Sequence, residues 1–126
     1  MKKKIETVYI ASPYTLGNRE RNVAISLDAA NVLADLGFYP FAPLLTHFWD
    51  LQHGRPYEYW LQYCLKWVER CDAVYRIIGE SKGADIEVAH ALELGIPVFY
   101  NINNIIAHND SVYNSVWTVN TTLTYG

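Results

Sequence analysis

Ala73-Val74-Tyr75-Arg76-Ile77-Ile78, running into Gly79-Glu80-Ser81-Lys82-Gly83-Ala84-Asp85-Ile86-Glu87, decides the fold. The first six residues are almost wholly apolar, as expected of a parallel strand buried on both faces. The residues from Gly83 to Leu94 read as a helix closed by Gly95, and Ile96–Tyr100 as the next strand. The same alternation holds upstream. Ile5–Ala11 reads as a strand ending at Ser12-Pro13. Asn18–Leu36 reads as a helix with one stripe of Val23, Leu27, Ala30 and Ala34 and a second of Ile25, Ala29, Val32 and Leu36, closed by Gly37. Phe38–Leu44 is a strand interrupted by Pro40 and Pro43, and Thr46–His53 a short irregular or helical piece. Pro56–Arg70 is a long helix with its proline at a permitted first-turn position. Strand and helix in strict alternation give an α/β parallel sheet covered by helices on both faces.

The character changes near residue 103. Val112, Tyr113, Val116, Trp117, Val119 and Leu123 stand among Ser, Thr and Asn, a pattern that predicts a strand-like C-terminal extension. The expected division is therefore an α/β domain over 1–103 and an extension over 104–126, free to add a strand or reach a neighbouring subunit.

With 126 residues, 51% apolar and 18% charged, the chain has the composition of one globular domain. Ten Lys+Arg against 13 Asp+Glu give a net charge of −3, which argues against a nucleic-acid polymer as partner. No apolar run is long enough to span a membrane, and the residues after Lys2-Lys3-Lys4 are too polar for a signal-peptide core. Cys64 and Cys71 form no CxxC pair and have no His at metal-ligand spacing, so neither metal nor other cofactor is expected, and a reducing, cytoplasmic setting is. Ten Tyr and four Trp point to stacking surfaces or interfaces. On the helix over 56–70, Tyr59, Tyr63 and Trp67 make a second stripe beside Tyr57, Trp60, Leu61, Cys64 and Val68. A helix apolar on two sides predicts a subunit contact, hence a homo-oligomer, with tyrosines lining the rim of a pocket as the alternative.

Ligands of open α/β sheets bind at the carboxyl ends of the strands. Three segments converge there: Ser12–Arg19, Leu45–Asp50 and Gly79–Glu87. Ser81 and Gly83 precede a helix whose free N–H groups can hold an anion, and Lys82 adds charge. An ordinary strand-to-helix turn would also carry Asp85 and Glu87, because the first helical turn favours acids. Glu87 borders the apolar stripe of Ala84, Val88 and Ala91, which puts a partly buried carboxylate beside that turn, suited to act as nucleophile or acid/base.

The order Val8-Tyr9-Ile10-Ala11-Ser12-Pro13-Tyr14, then Pro43 and Thr46-His47, then Cys71-Asp72-Ala73-Val74 and Ser81-Lys82-Gly83-Ala84-Asp85-Ile86-Glu87 resembles the nucleoside 2-deoxyribosyltransferase superfamily, especially its small bacterial and phage members. The resemblance covers about 5–102 and is most specific in the spacing from Ser81 to Glu87. It implies a Rossmann-like, flavodoxin-like fold and cleavage of an N-glycosidic bond in a nucleoside or nucleoside 5′-monophosphate. By the same resemblance Glu87 attacks the sugar C1′, Ser81 holds a 5′-phosphate, and Tyr14 and His47 line the pocket. Ser12, Arg19, Lys82 and Gly83 complete the expected substrate contacts, with Asp85 and Cys64 as further catalytic candidates. Cys64 stands where the family carries an aspartate, and a thiol is a poor replacement for that carboxylate. A nucleotide-binding protein without turnover, sequestering or sensing its ligand, is therefore the alternative.

Overall fold

The computed structural model describes the backbone of residues 3–125 and the side chains of residues 3–113. Four parallel strands run β1 (Thr7–Ala11), β2 (Tyr39–Phe41), β3 (Ala73–Arg76) and β4 (Val98–Phe99), in the order β2-β1-β3-β4. Tyr9 pairs with Phe41 on one side and Val74 on the other, and Val74 pairs in turn with Val98. The chain leaves β1 to one side and returns for β3 on the other. Its topological switch point therefore lies between the carboxyl ends of β1 and β3.

The strand period of two sends Val8 and Ile10 to one face and Tyr9 and Ala11 to the other. Helix α1 (Arg19–Asp35) covers the first face, where Leu33 joins Ile5, Val8, Ile10, Phe38 and Ala73 in a buried cluster. Helices α3 (Tyr57–Val68) and α4 (Lys82–Glu93) cover the second, where Val68, Ala84, Val88 and Ala91 pack against Tyr9, Ala11 and Val74. Short α2 (Thr46–Gln52) follows a 3₁₀ turn, Pro43–Leu45, at the end of β2.

The strand/helix order expected from the sequence holds, with shorter strands. Pro40 lacks a ladder donor, and Pro43 starts the 3₁₀ turn, so the strand expected over Phe38–Leu44 keeps three residues. On α1 the buried residues are Val23, Ser26 and Leu33, while Ile25, Val32 and Leu36 of the second expected stripe are exposed.

The C-terminal expectation is overturned. Residues Ile102–Tyr125 form a helix, α5, not a strand-like extension. Ile102, Ile105 and Ile106 recur at helical spacing, and Ile105 is fully buried in the same cluster as Leu33. Asn109 then clamps the helix to the chain start: its Nδ2 donates to the Ile5 carbonyl and its Oδ1 accepts from the Ile5 N–H, both at 2.8 Å. Burial of that isoleucine stripe outweighs the modest helix propensity of the Thr, Asn and Val residues beyond it.

Candidate active site

Helix α4 starts at the switch point because Ser81 caps it, its Oγ accepting from the Ala84 N–H at 3.1 Å. Ala84, Glu87, Val88 and Ala91 form its buried stripe, so Glu87 lies on the core line itself. The Glu87 side chain is buried (7% exposed), and its Oε2 accepts from the Tyr9 hydroxyl at 2.5 Å. Cys64 of α3 packs against the same cluster. Burial raises the Glu87 carboxyl to about 7, opposed by the Tyr9 hydrogen bond, the Arg76 charge and the Cys64 thiol. Burial and the Glu87 charge push the Cys64 thiol up to about 12, and burial with the same carboxylate lifts the Tyr9 phenol well above its usual range. At neutral pH the group is a carboxyl poised between its two forms, faced by a protonated phenol and a protonated thiol.

Arg76, the last residue of β3, is also buried. Its guanidinium donates through Nη1 to the Ile77 carbonyl, and through Nη2 to the Gly79 carbonyl at 2.8 Å and to Asp85 Oδ1 at 3.0 Å. Gly79 has φ of +133°, and a Cβ there would stand 2.8 Å from Pro13 Cγ, so only glycine fits. The loops after β1 and β3 therefore touch across the switch point.

The loop after β1 carries a second group. The Tyr14 hydroxyl and His47 Nδ1 share a hydrogen bond of 2.6 Å, and the Arg19 guanidinium stacks 5.5 Å from the Tyr14 ring centroid. His47 is buried and has its Nε2 4.0 Å from the Glu20 carboxylate. Asn22 Nδ2 fixes the loop by donating to the Tyr14 and Leu16 carbonyls. Burial raises the Tyr14 phenol, against the Arg19 charge that lowers it. Ser12 is buried at the end of β1, and its Oγ has no hydrogen-bond partner among the described residues. Beyond β2, Phe41, Ala42, Leu45, Thr46, Trp49 and Tyr63 line a groove of about 310 Å³. Phe41 links that groove to the carboxyl, because its ring stacks on Tyr9 at 5.8 Å.

Of the residues expected from the sequence, Glu87 and Cys64 come together, and Tyr14, Arg19 and His47 come together. Ser81 and Gly83 begin α4, with room for a Cβ at Gly83 before the Tyr57 hydroxyl at 3.8 Å. Lys82 is exposed, and the Asp85 carboxylate is 73% exposed and bound to Arg76. Tyr9 and Arg76 were not among the expected site residues. Each is a polar group inside an otherwise apolar parallel strand, and that mismatch was the readable signal.

The family model described as Domain of unknown function (DUF4406) matches residues 6–100. The chain belongs to that family. No curated protein matches this DUF4406 chain. Among solved structures it is similar to the 2-deoxyribosyltransferase of the psychrotolerant bacterium Bacillus psychrosaccharolyticus, described as a biocatalyst for the synthesis of antiviral and antitumoral nucleosides. Identity is 28% and the TM-score 0.58, covering 73% of the DUF4406 chain and 69% of the other. The DUF4406 chain thus falls in the deoxyribosyltransferase-like superfamily. None of its helices, among the described residues, is long and apolar enough to cross a membrane.

Proposed function

We propose that the chain cleaves or transfers at the N-glycosidic bond of a nucleoside or nucleoside 5′-monophosphate, with Glu87 as nucleophile. The observation that carries the reading is the Glu87 carboxyl, buried at the switch point with Oε2 engaged by Tyr9. The other oxygen, Oε1, is the attacking atom of this reading, with the Cys64 thiol beside the same carboxyl. In the first step Oε1 bonds to the sugar C1′ as the C1′–N bond breaks, and the base leaves with the bonding pair and takes a proton. In the second, water or another base attacks C1′ and gives its proton to the group that protonated the leaving base, the ester bond to Glu87 breaks, and the carboxylate returns. Tyr9 stabilises the charged form at both ends of the cycle. Ser12, Ser81, Lys82 and Gly83 surround the sugar and its 5′ end, and Tyr14, Arg19 and His47 close the pocket, with His47 and Asp85 as the candidate acids. Likeness to a 2-deoxyribosyltransferase supports the same chemistry.

The exposed aromatics of α3, with Tyr59 and Trp67 each 40% exposed, favour self-association. Free thiols at Cys64 and Cys71 suit a reducing, cytoplasmic setting.

The test is incubation with a panel of nucleosides and their monophosphates, with free base read by chromatography. Wild type is expected to release base, and Glu87→Gln to bind within about tenfold yet release none. Full release by Glu87→Gln overturns the nucleophile. One observation favours a second reading, a binder without turnover: Cys64, held protonated, stands where the resemblance expects a carboxylate. Tight binding with no base released over hours supports that reading. Cys64→Asp would then gain turnover, since acid–base assistance is worth about 10²–10⁴-fold.

A further inference from the structure

We infer that Arg76, with Asp85 as its counter-ion, is a positioning residue of this site: it supplies the buried positive charge against which the Glu87 carboxylate is held, and it fixes the loop in front of that carboxylate. The inference deepens the proposed function and rests on Glu87 being the reacting group.

Arginine is out of place in a strand this apolar unless its charge is used, because a buried guanidinium left uncompensated is strongly destabilising. Register pairs Ala11 with Arg76 and Tyr9 with Val74, so the Arg76 side chain lies on the face that carries the Tyr9 hydroxyl and Glu87. Its fork spans a bend. Two carbonyls of the loop, Ile77 and Gly79, and the Asp85 carboxylate on the first turn of α4 all accept from it. Lysine has no such fork, and could neutralise a carboxylate without holding the bend.

The charge balance around Glu87 completes the case. Tyr9 donates to it from β1, Cys64 packs on the same cluster from α3, and Arg76, on the same face of β3, brings a positive charge that lowers its carboxyl. Asp85, two residues before Glu87 on α4, draws on the same guanidinium from the solvent side. Removing Arg76 and removing the Asp85 charge must therefore move Glu87 in opposite directions. General loosening of the fold would not produce opposite signs.

The experiment follows the Glu87 side-chain carboxyl carbon by ¹³C NMR against pH in ligand-free protein. Arg76→Met is expected to raise the titration midpoint by about one to three pH units. Arg76→Lys, which keeps the charge, should return it most of the way. Asp85→Asn should lower it, and the acidic limb of the base-release profile should follow the shifts of the two Arg76 variants. A midpoint unmoved in Arg76→Met, or unmoved or raised in Asp85→Asn, overturns the inference. Should Arg76→Met fail to fold, the exposed Asp85→Asn variant decides alone. Because the titration is read without substrate, shifts as expected with no base released from any nucleoside would sink the catalytic reading and leave this one standing. Base release abolished by Glu87→Gln, with midpoints unmoved, would do the reverse.

Discussion

The two faces of the sheet solve different problems with the same strands. On the α1/α5 face the buried cluster of Ile5, Val8, Ile10, Leu33, Phe38, Ala73 and Ile105 carries no polar side-chain atom. On the α3/α4 face, Tyr9, Val68, Val74, Ala84, Val88 and Ala91 enclose a carboxyl, a phenol, a thiol and, at the strand end, a guanidinium. Alternation along β1 puts Val8 and Ile10 on the first face and Tyr9 on the second, so neighbouring residues of one strand meet an apolar cluster on one side and the buried polar groups on the other. The first face is expected to hold the fold together, and the second to spend part of that stability on a charge kept out of water.

The sharpest way to break the comparison is Leu33→Ala. Leu33 is fully buried among aliphatic neighbours, so its truncation should cost about 2–5 kcal/mol of unfolding free energy. The expected loss is similar from pH 5 to pH 8, because no group in that cluster titrates. Urea unfolding at both values checks it, and a strongly pH-dependent loss would mean that the faces are coupled.

Glu87→Gln should behave in the opposite way. With its carboxyl raised to about 7, the folded chain holds a proton that the unfolded chain, near its ordinary value of about 4.3, has released. Wild-type stability attributable to this group is therefore present below the unfolded value, falls as pH rises through the window, and is gone above about 7. The glutamine variant lacks that fall. It should match wild type near pH 4 and exceed it by something on the order of 3 kcal/mol at pH 8. Equal pH slopes for the two proteins would show that Glu87 is not held protonated by burial.

Much of this division was legible beforehand. The apolar run Ala73–Ile78 and the helix-closing glycines Gly37 and Gly95 gave the alternating order, and the spacing from Ser81 to Glu87 singled out the carboxyl that is buried. Two things were hidden. Residues 112–123 alternate like a strand, whereas the stripe that determines their conformation lies earlier, at Ile102, Ile105 and Ile106, where tertiary burial rather than local pattern decides. In the sequence Arg76 and Tyr9 stand out only as strand residues. Their partners are Asp85 and Glu87 on a helix begun after a turn, 9 and 78 residues away in sequence, and such pairings follow from strand register rather than composition.

Tyr9→Phe tests how far the second face depends on one hydrogen bond. The ring and its stacking on Phe41 remain, and only the hydroxyl is lost, which donates to Glu87 and lies beside the Cys64 thiol. A hydrogen bond to a charged group is worth about 1.5–3 kcal/mol, so the loss should be largest above pH 7, where Glu87 is ionised, and smaller at pH 5. The Glu87 midpoint should rise, since the bond favours the charged form. A loss independent of pH would show that Tyr9 contributes packing alone.

The smallest expected effect separates structure from substrate at Ser81. Its hydroxyl oxygen already caps α4 by accepting from the Ala84 N–H, so a simple alanine variant confounds two roles. Ser81→Ala should cost about 0.5–2 kcal/mol through loss of the cap, whereas glycine at the same position costs only a few tenths. Neither loss should vary with pH, because no titrating group is removed. If the hydroxyl also meets the sugar or its 5′ end, Ser81→Gly keeps near-native stability while its KM rises about as much as that of Ser81→Ala. If the hydroxyl is only a cap, Ser81→Gly keeps both stability and KM, and recognition of the 5′ end falls to the backbone N–H groups of Lys82 and Gly83. Steady-state kinetics beside urea midpoints for the two variants distinguish the cases, and an increase in KM for alanine without one for glycine assigns Ser81 to the helix.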